Sequence, residues 1–146
     1  MFKRIVVAID GSKLALEALD KAVELRAMTD AELYLICVYK HHSLFQASLS
    51  IERPPNVQIA DDALSQFAKE VVEDAKNRAR EHGATKVRGF VRSGKPSKEI
   101  VKFAQDKGAD LIVIGAHGTN SDTEGMFLGS VSHRVASTAK CPTLVI

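Results

Sequence analysis

Two short stretches of this sequence hold residues suited to chemistry at places where α/β proteins commonly bind ligands. The first is Ala8-Ile9-Asp10-Gly11-Ser12, where an acid closes an apolar run and a glycine follows at once. A carboxylate held there accepts hydrogen bonds from a ligand hydroxyl or amine. The same residues also make an Asx-turn with Ser12 capping a helix, and the residues alone leave both readings open. The second is Gly115-Ala116-His117-Gly118, then residues 119–128, then Gly129-Ser130-Val131 opening a helix. Glycine removes the side chain that would keep an anion off the backbone, and a helix start offers unpaired amides with roughly half a positive charge. Together they would cradle a phosphate. A surface loop whose glycines only turn the chain is the other reading.

The remaining polar groups point less sharply. His117 lies between two loop glycines and invites an acid–base role, but no acid or nucleophile at fixed spacing accompanies it. His133 and Arg134 lie one turn into the last helix, where Arg134 could reach a phosphate or stay in water. His41-His42, with no cysteine or carboxylate cluster nearby, make a poor metal site. Asp122 and Glu124 repel a polyanion unless they face water or hold magnesium. Gly-x-x-x-x-Gly-Lys-Ser/Thr is absent, as is Gly-x-Gly-x-x-Gly after the first strand, which argues against a P-loop and a Rossmann dinucleotide site. Cys37 and Cys141 both sit in apolar runs and read as buried free thiols.

These residues need strands and helices to position them. Residues 4–10, 33–39 and 110–114 are short, β-branched, apolar runs, as expected of strands buried on both faces of a parallel sheet. Residues 86–92 are more polar, interrupted by Gly89, and so belong near a sheet edge. Residues 142–146 read as a last strand. Between them run helical stripes: Leu14, Ala18, Ala22 and Leu25 after Ser12; Leu64 through Ala79, closed by Gly83; Ile100, Phe103 and Ala104 after Pro96; and residues 129–139. Strands alternating with helices give an α/β fold of five parallel strands with helices on both faces, a three-layer open twisted sheet. The exception is residues 41–60, which hold Pro54-Pro55 and read as a lid, an irregular excursion or a short helix around Leu44 to Leu49. In such a sheet ligands bind beyond the carboxyl ends of the strands, where both glycine-bearing stretches fall.

The chain has 146 residues, enough for one domain and short for two, so a single domain over 1–146 is expected. With 45% hydrophobic and 26% charged residues it falls outside the disordered, collagenous and disulfide-built classes. A net charge of +2 leaves no nucleic-acid face expected. No run approaches a membrane span, and the N-terminus does not look like a signal peptide, so a cytoplasmic location is expected. Few aromatic residues and none near Gly115 to Gly118 argue against a flavodoxin-like electron carrier.

Val7-Ala8-Ile9-Asp10-Gly11-Ser12, Gly94-Lys95-Pro96, Asp110-Leu111-Ile112-Val113-Ile114-Gly115, Gly129-Ser130-Val131-Ser132 and Cys141-Pro142-Thr143-Leu144-Val145, in this order, resemble a universal stress protein over the whole chain. The resemblance implies sheet order 3-2-1-4-5 in an adenine nucleotide alpha-hydrolase-like fold, a cytoplasmic homodimer and, in one branch, bound ATP. It implies that Asp10 and the backbone around Ala8 and Val38 receive adenine and ribose. It further implies that Ile114, Gly115, Gly118, Gly129, Ser130 and Val131 line the phosphate end. That branch carries Gly-x2-Gly-x9-Gly-Ser/Thr, whereas here ten residues separate Gly118 from Gly129, and Gly125 can absorb the extra one.

Three functions follow as expectations. The first is an ATP-binding regulatory protein of the stress response, acting by nucleotide-dependent assembly or docking with at most slow hydrolysis, since no placed Lys, base or paired metal carboxylates accompany the cradle. The others are a nucleotide-free partner-binding protein and a magnesium-dependent nucleotide hydrolase using His117, Asp122 or Glu124. The last strand leaves an apolar edge, so a dimer through Thr143 to Ile146 is expected.

Overall fold

The computed structural model describes residues 1–40, 57–118 and 128–146, with side chains of the second stretch described from residue 62. His41, His42, the helix considered near Leu44 to Leu49, Asp122, Glu124 and Gly125 lie outside the described residues. The elements are β1 (Arg4–Ala8), α1 (Lys13–Thr29), β2 (Glu32–Tyr39), α2 (Val57–Glu81), β3 (Val87–Ser93), α3 (Pro96–Asp106), β4 (Leu111–Ile114), α4 (Ser130–Thr138) and β5 (Thr143–Val145). All pairings are parallel, in the order β3-β2-β1-β4-β5. This is the expected sheet.

Side-chain alternation divides the core between the two faces of the sheet. Ile5, Val7, Leu33 and Leu35 pack against α1 and α2, whereas Val6, Ala8, Tyr34 and Ile36 pack against α3 and α4. Ile5, Val6 and Val7 are fully buried, which explains why β1 reads as a continuous apolar run. Burying each such side chain stabilises the fold by about 1.5–3 kcal/mol. At β3, Gly89 lets α2 come close: a Cβ there would lie 2.2 Å from Val72 Cγ1. The glycine that weakens the strand on propensity is required by packing.

The helix ends follow their local chemistry. Ser12 accepts the Ala15 amide at 3.2 Å and so caps α1. Gly83, at φ +92°, stops α2, and the Ala84 amide reaches back to the Ala79 carbonyl at 2.9 Å. α2 begins at Val57, ahead of the stripe expected from Leu64 and inside the expected excursion over residues 41–60. β4 runs from Leu111; just before it the Asp110 amide donates to the Arg4 carbonyl at 3.0 Å while its carboxylate accepts the Lys3 and Arg4 amides at 2.8 and 3.2 Å.

Candidate functional site

The order of the strands decides where a site can form. The chain leaves β1 for β2 on one side, and after β3 it crosses to β4 on the other, so β1 and β4 are neighbours whose outgoing loops diverge. In open α/β sheets the ligand crevice lies at such a switch point. The carboxyl ends of β2, β1 and β4 bring Val38, Ala8-Asp10 and Ile114-Gly115 to one edge of the sheet, with Ala8 opposite Ile36 and the Ile9 amide on the Ile36 carbonyl at 2.8 Å.

On the β1 side, Gly11 turns the chain at φ +82°, a conformation that favours glycine, and packs beside Val71 of α2. The Ser12 amide donates to Asp10 Oδ1 at 2.9 Å, fixing the carboxylate in an Asx-turn. Both readings of this stretch therefore share one geometry: the turn uses one oxygen, and the exposed Oδ2 projects toward the β4 loop. A Cβ on Gly118 would lie 2.9 Å from Oδ2. The two loops touch there. Cys37 sits behind them, its thiol pushed up to about 11 by burial and secondarily by the Asp10 carboxylate.

On the β4 side, the two glycines next to the helices serve close approach. A Cβ on Gly115 would lie 2.9 Å from the Leu14 carbonyl carbon, so this glycine lets the strand end pass under α1. A Cβ on Gly129 would lie 3.0 Å from the Ala116 oxygen. The Ala116 amide donates to the Ile146 carbonyl at 2.7 Å, and the Gly129 amide donates to the Ala116 carbonyl at 2.6 Å. Gly129 thus contributes room, and its own N–H is already engaged. It is the N-cap of α4, extended at φ −70° and ψ 168°, with no side-chain cap. The first intrahelical bond runs from the His133 amide to the Gly129 carbonyl. The amides of Ser130, Val131 and Ser132 therefore start α4 without a backbone acceptor among the described residues.

Ser132 is the residue that spacing did not single out. Its side chain is buried, and its hydroxyl lies 2.7 Å from the Ala116 carbonyl and 3.1 Å from the Gly129 carbonyl, pinning the start of α4 to the β4 loop. The available signal was its place as the third helical residue after Gly129, where a short hydroxyl folds back on the backbone. His117 is half-buried and packs beside Gly129, with Nδ1 3.8 Å from the position of a Cβ there. His133 and Arg134 are exposed. Among the described residues no cluster of three or more His, Cys, Asp or Glu could hold a metal.

The universal stress protein family model matches residues 1–146. The chain belongs to this family. It is 37% identical over 150 residues to universal stress protein YxiE of Bacillus subtilis, covering 100% of this chain and 99% of that protein. Its fold is similar to the solved structure of the hypothetical protein MJ0577, at a TM-score of 0.84 and 28% identity, covering 100% and 96% of the two chains. It is also similar to a universal stress protein in complex with cAMP (TM-score 0.74, 26% identity, 99% and 97% covered). A further similar structure is the protein from Archaeoglobus fulgidus in complex with dAMP (TM-score 0.68, 25% identity, 99% and 97% covered). Among the described residues of the present chain, no helix is long and apolar enough to cross a membrane.

Proposed function

We propose that this universal stress protein binds an adenine nucleotide, ATP above others, in the cleft between the β1 and β4 loops, and acts as a regulatory switch in the stress response. The observation that carries the reading is the set of amides at Ser130, Val131 and Ser132 that have no backbone acceptor among the described residues, at the start of the helix that Gly129 caps. Similar proteins bound to cAMP and dAMP support an adenine nucleotide. Charge then sorts the ligand along the cleft. The free Asp10 oxygen suits ribose hydroxyls and repels phosphate, so sugar and base belong beside Asp10, Ala8 and Val38. The phosphates belong past Gly118 at the start of α4. Magnesium, where present, would be held mainly by the phosphates.

Turnover would be slow, as expected of a cradle whose sequence supplies no P-loop lysine. The working unit would be a cytoplasmic homodimer of single-domain chains. Among the described residues β5 pairs only with β4, and the parallel ladder leaves the N–H and C=O of Thr143 and Val145 directed outward for a second copy.

The test is calorimetric titration of ATP, ADP and AMP into ligand-free protein and into Ser130→Pro. Proline suits the first helical position, and the extended Gly129 before it suits a pre-proline residue, so the helix survives while one amide is lost. ATP affinity should fall about tenfold, as for a charge-assisted hydrogen bond. Equal ATP binding by both proteins would place the phosphates elsewhere.

A further inference from the structure

The side of the molecule built from β3 and α3 concentrates charge that the whole chain does not show. From residue 86 to residue 107 there are seven Lys and Arg against only Glu99 and Asp106, a net of +5 in a chain whose total is +2. Outside this segment several cations are paired, Lys21 with Glu24, Arg26 with Asp30, Lys76 with Glu73 and Arg78 with Asp20, and within it Lys86 pairs with Asp30. Arg88, Arg92 and Lys107 have no ion pair among the described residues. Glu32, the acid whose field Arg88 feels, is engaged by the Tyr34 hydroxyl at 2.6 Å. Aromatic rings hold the other two cations. Phe90 and Phe103 lie 4.9 Å apart between centroids, with the Arg92 guanidinium 5.7 and 5.6 Å from the two centroids. Lys107 Nζ lies 4.6 and 5.7 Å from them.

These cations border an open strand edge. Among the described residues β3 pairs only with β2. The Leu33 amide bonds the Lys86 carbonyl and the Gly94 amide bonds the Tyr39 carbonyl, so the parallel ladder directs the N–H and C=O of Val87, Gly89, Val91 and Ser93 away from the sheet. The Val91 carbonyl accepts from Arg92 Nη1 at 3.0 Å, a single latch across that edge. Arg88, Phe90 and Arg92 alternate on the face that α3 covers, with the apolar ring between the two charges.

We infer that β3 is a docking edge for an extended acidic polypeptide segment, which adds as a sixth strand. Carboxylates at its positions i and i+4 meet Arg88 and Arg92, and an apolar side chain at i+2 lies beside Phe90. A carboxylate that draws the Arg92 guanidinium away releases the Val91 carbonyl for the incoming amide. Cations on an edge guard against pairing with a like-charged copy, and the same cations select an acidic strand. A polypeptide fits better than a nucleic acid, because outward N–H and C=O groups are matched by another backbone. Phe103 is buried and Phe90 carries cations, so no open ring is left for a base to stack on.

The test uses a labelled peptide Thr-Glu-Thr-Val-Thr-Glu-Thr at low salt, read by fluorescence anisotropy and by amide hydrogen exchange of the intact protein. Binding should weaken at least tenfold in the Arg88→Gln/Arg92→Gln variant, which keeps the side-chain stems. In the wild type, exchange should slow at Gly89, Val91 and Ser93. The exchange pattern decides the matter even if the variant folds poorly. No binding, unchanged exchange along β3, equal binding of a peptide with its two Glu adjacent, or tighter binding of single-stranded RNA would each overturn the proposal.

Discussion

Replacing Ser132 by Ala removes a side chain that ties the start of α4 to the β4 loop. Its buried hydroxyl lies 2.7 Å from the Ala116 carbonyl, and that carbonyl also receives the Gly129 amide at 2.6 Å. Removing the hydroxyl therefore weakens the carbonyl's partnership without orphaning it. The loss should be that of one net hydrogen bond, about 1 kcal/mol, and not the larger penalty of a buried unpaired group. Ser137 supplies the control: it makes a hydroxyl–carbonyl contact of the same 2.7 Å length, to His133, but is exposed. Ser137→Ala should be neutral or slightly stabilising, since such back-bonding in a helix is unfavourable and Ala is the better helix former. Urea unfolding followed by circular dichroism should show Ser132→Ala about 1 kcal/mol less stable and Ser137→Ala within about 0.5 kcal/mol of wild type. Equal effects of the two substitutions would refute the view that burial at this junction, and not hydroxyl–carbonyl bonding in general, stabilises it.

Other perturbations reach the rest of the fold. The Arg78 guanidinium, bonded to Asp20 at 2.7 and 2.9 Å, holds that carboxyl below its usual range, with His82 adding to the effect. A depressed folded-state pKa stabilises above the unfolded value of about 3.9 and loses the effect as pH falls through the folded one. Asp20→Asn should thus cost up to about 1 kcal/mol at pH 7, and its melting temperature should converge on wild type once pH falls below the lowered folded-state value; a constant gap between the two melting curves would contradict the pairing. Cys37, with its thiol pushed up to about 11, should resist iodoacetamide at pH 8 in the native protein, as mass spectrometry of timed samples can check. Because that shift favours the neutral form in the fold, stability should also decline as pH rises from about 9 toward 11. Labelling at the rate of an unfolded thiol would show that the group is not held under α2. Gly89→Ala, whose Cβ would meet Val72 Cγ1 at 2.2 Å, should lose about 1–3 kcal/mol of stability in thermal or urea unfolding, and a neutral result would mean α2 moves freely off β3.

The sheet was legible because buried parallel strands and amphipathic helices leave different periods in a sequence. Residues 5–7 and 111–114 carry no polar residue because both faces of those strands are covered, and the apolar run reports that directly. The start of α2 was not legible although Val57 and Ala60 extend the apolar spacing ahead of Leu64, because Pro54-Pro55 makes residues 41–60 read as one excursion. The role of Asp110 was not legible for another reason: its carboxylate is engaged by the Lys3 and Arg4 amides, a contact made across 106 or more residues that no local window contains.

The glycines of the candidate site show how far residue type alone carries. Gly115, Gly118 and Gly129 share one apparent meaning in the sequence, a backbone left bare for an anion, but they meet three different neighbours: the Leu14 backbone, the Asp10 carboxylate and the Ala116 carbonyl. Each missing side chain makes a contact possible inside the protein. The bare amides come one step later, at Ser130 to Ser132, where a helix begins and not where glycine lies. On the proposed reading, anion affinity at this cleft would be a property of α4's start and not of the glycines themselves. The packing glycines act through the contacts they permit, so substituting them should lower stability and ligand affinity together, whereas Ser130→Pro should lower affinity alone.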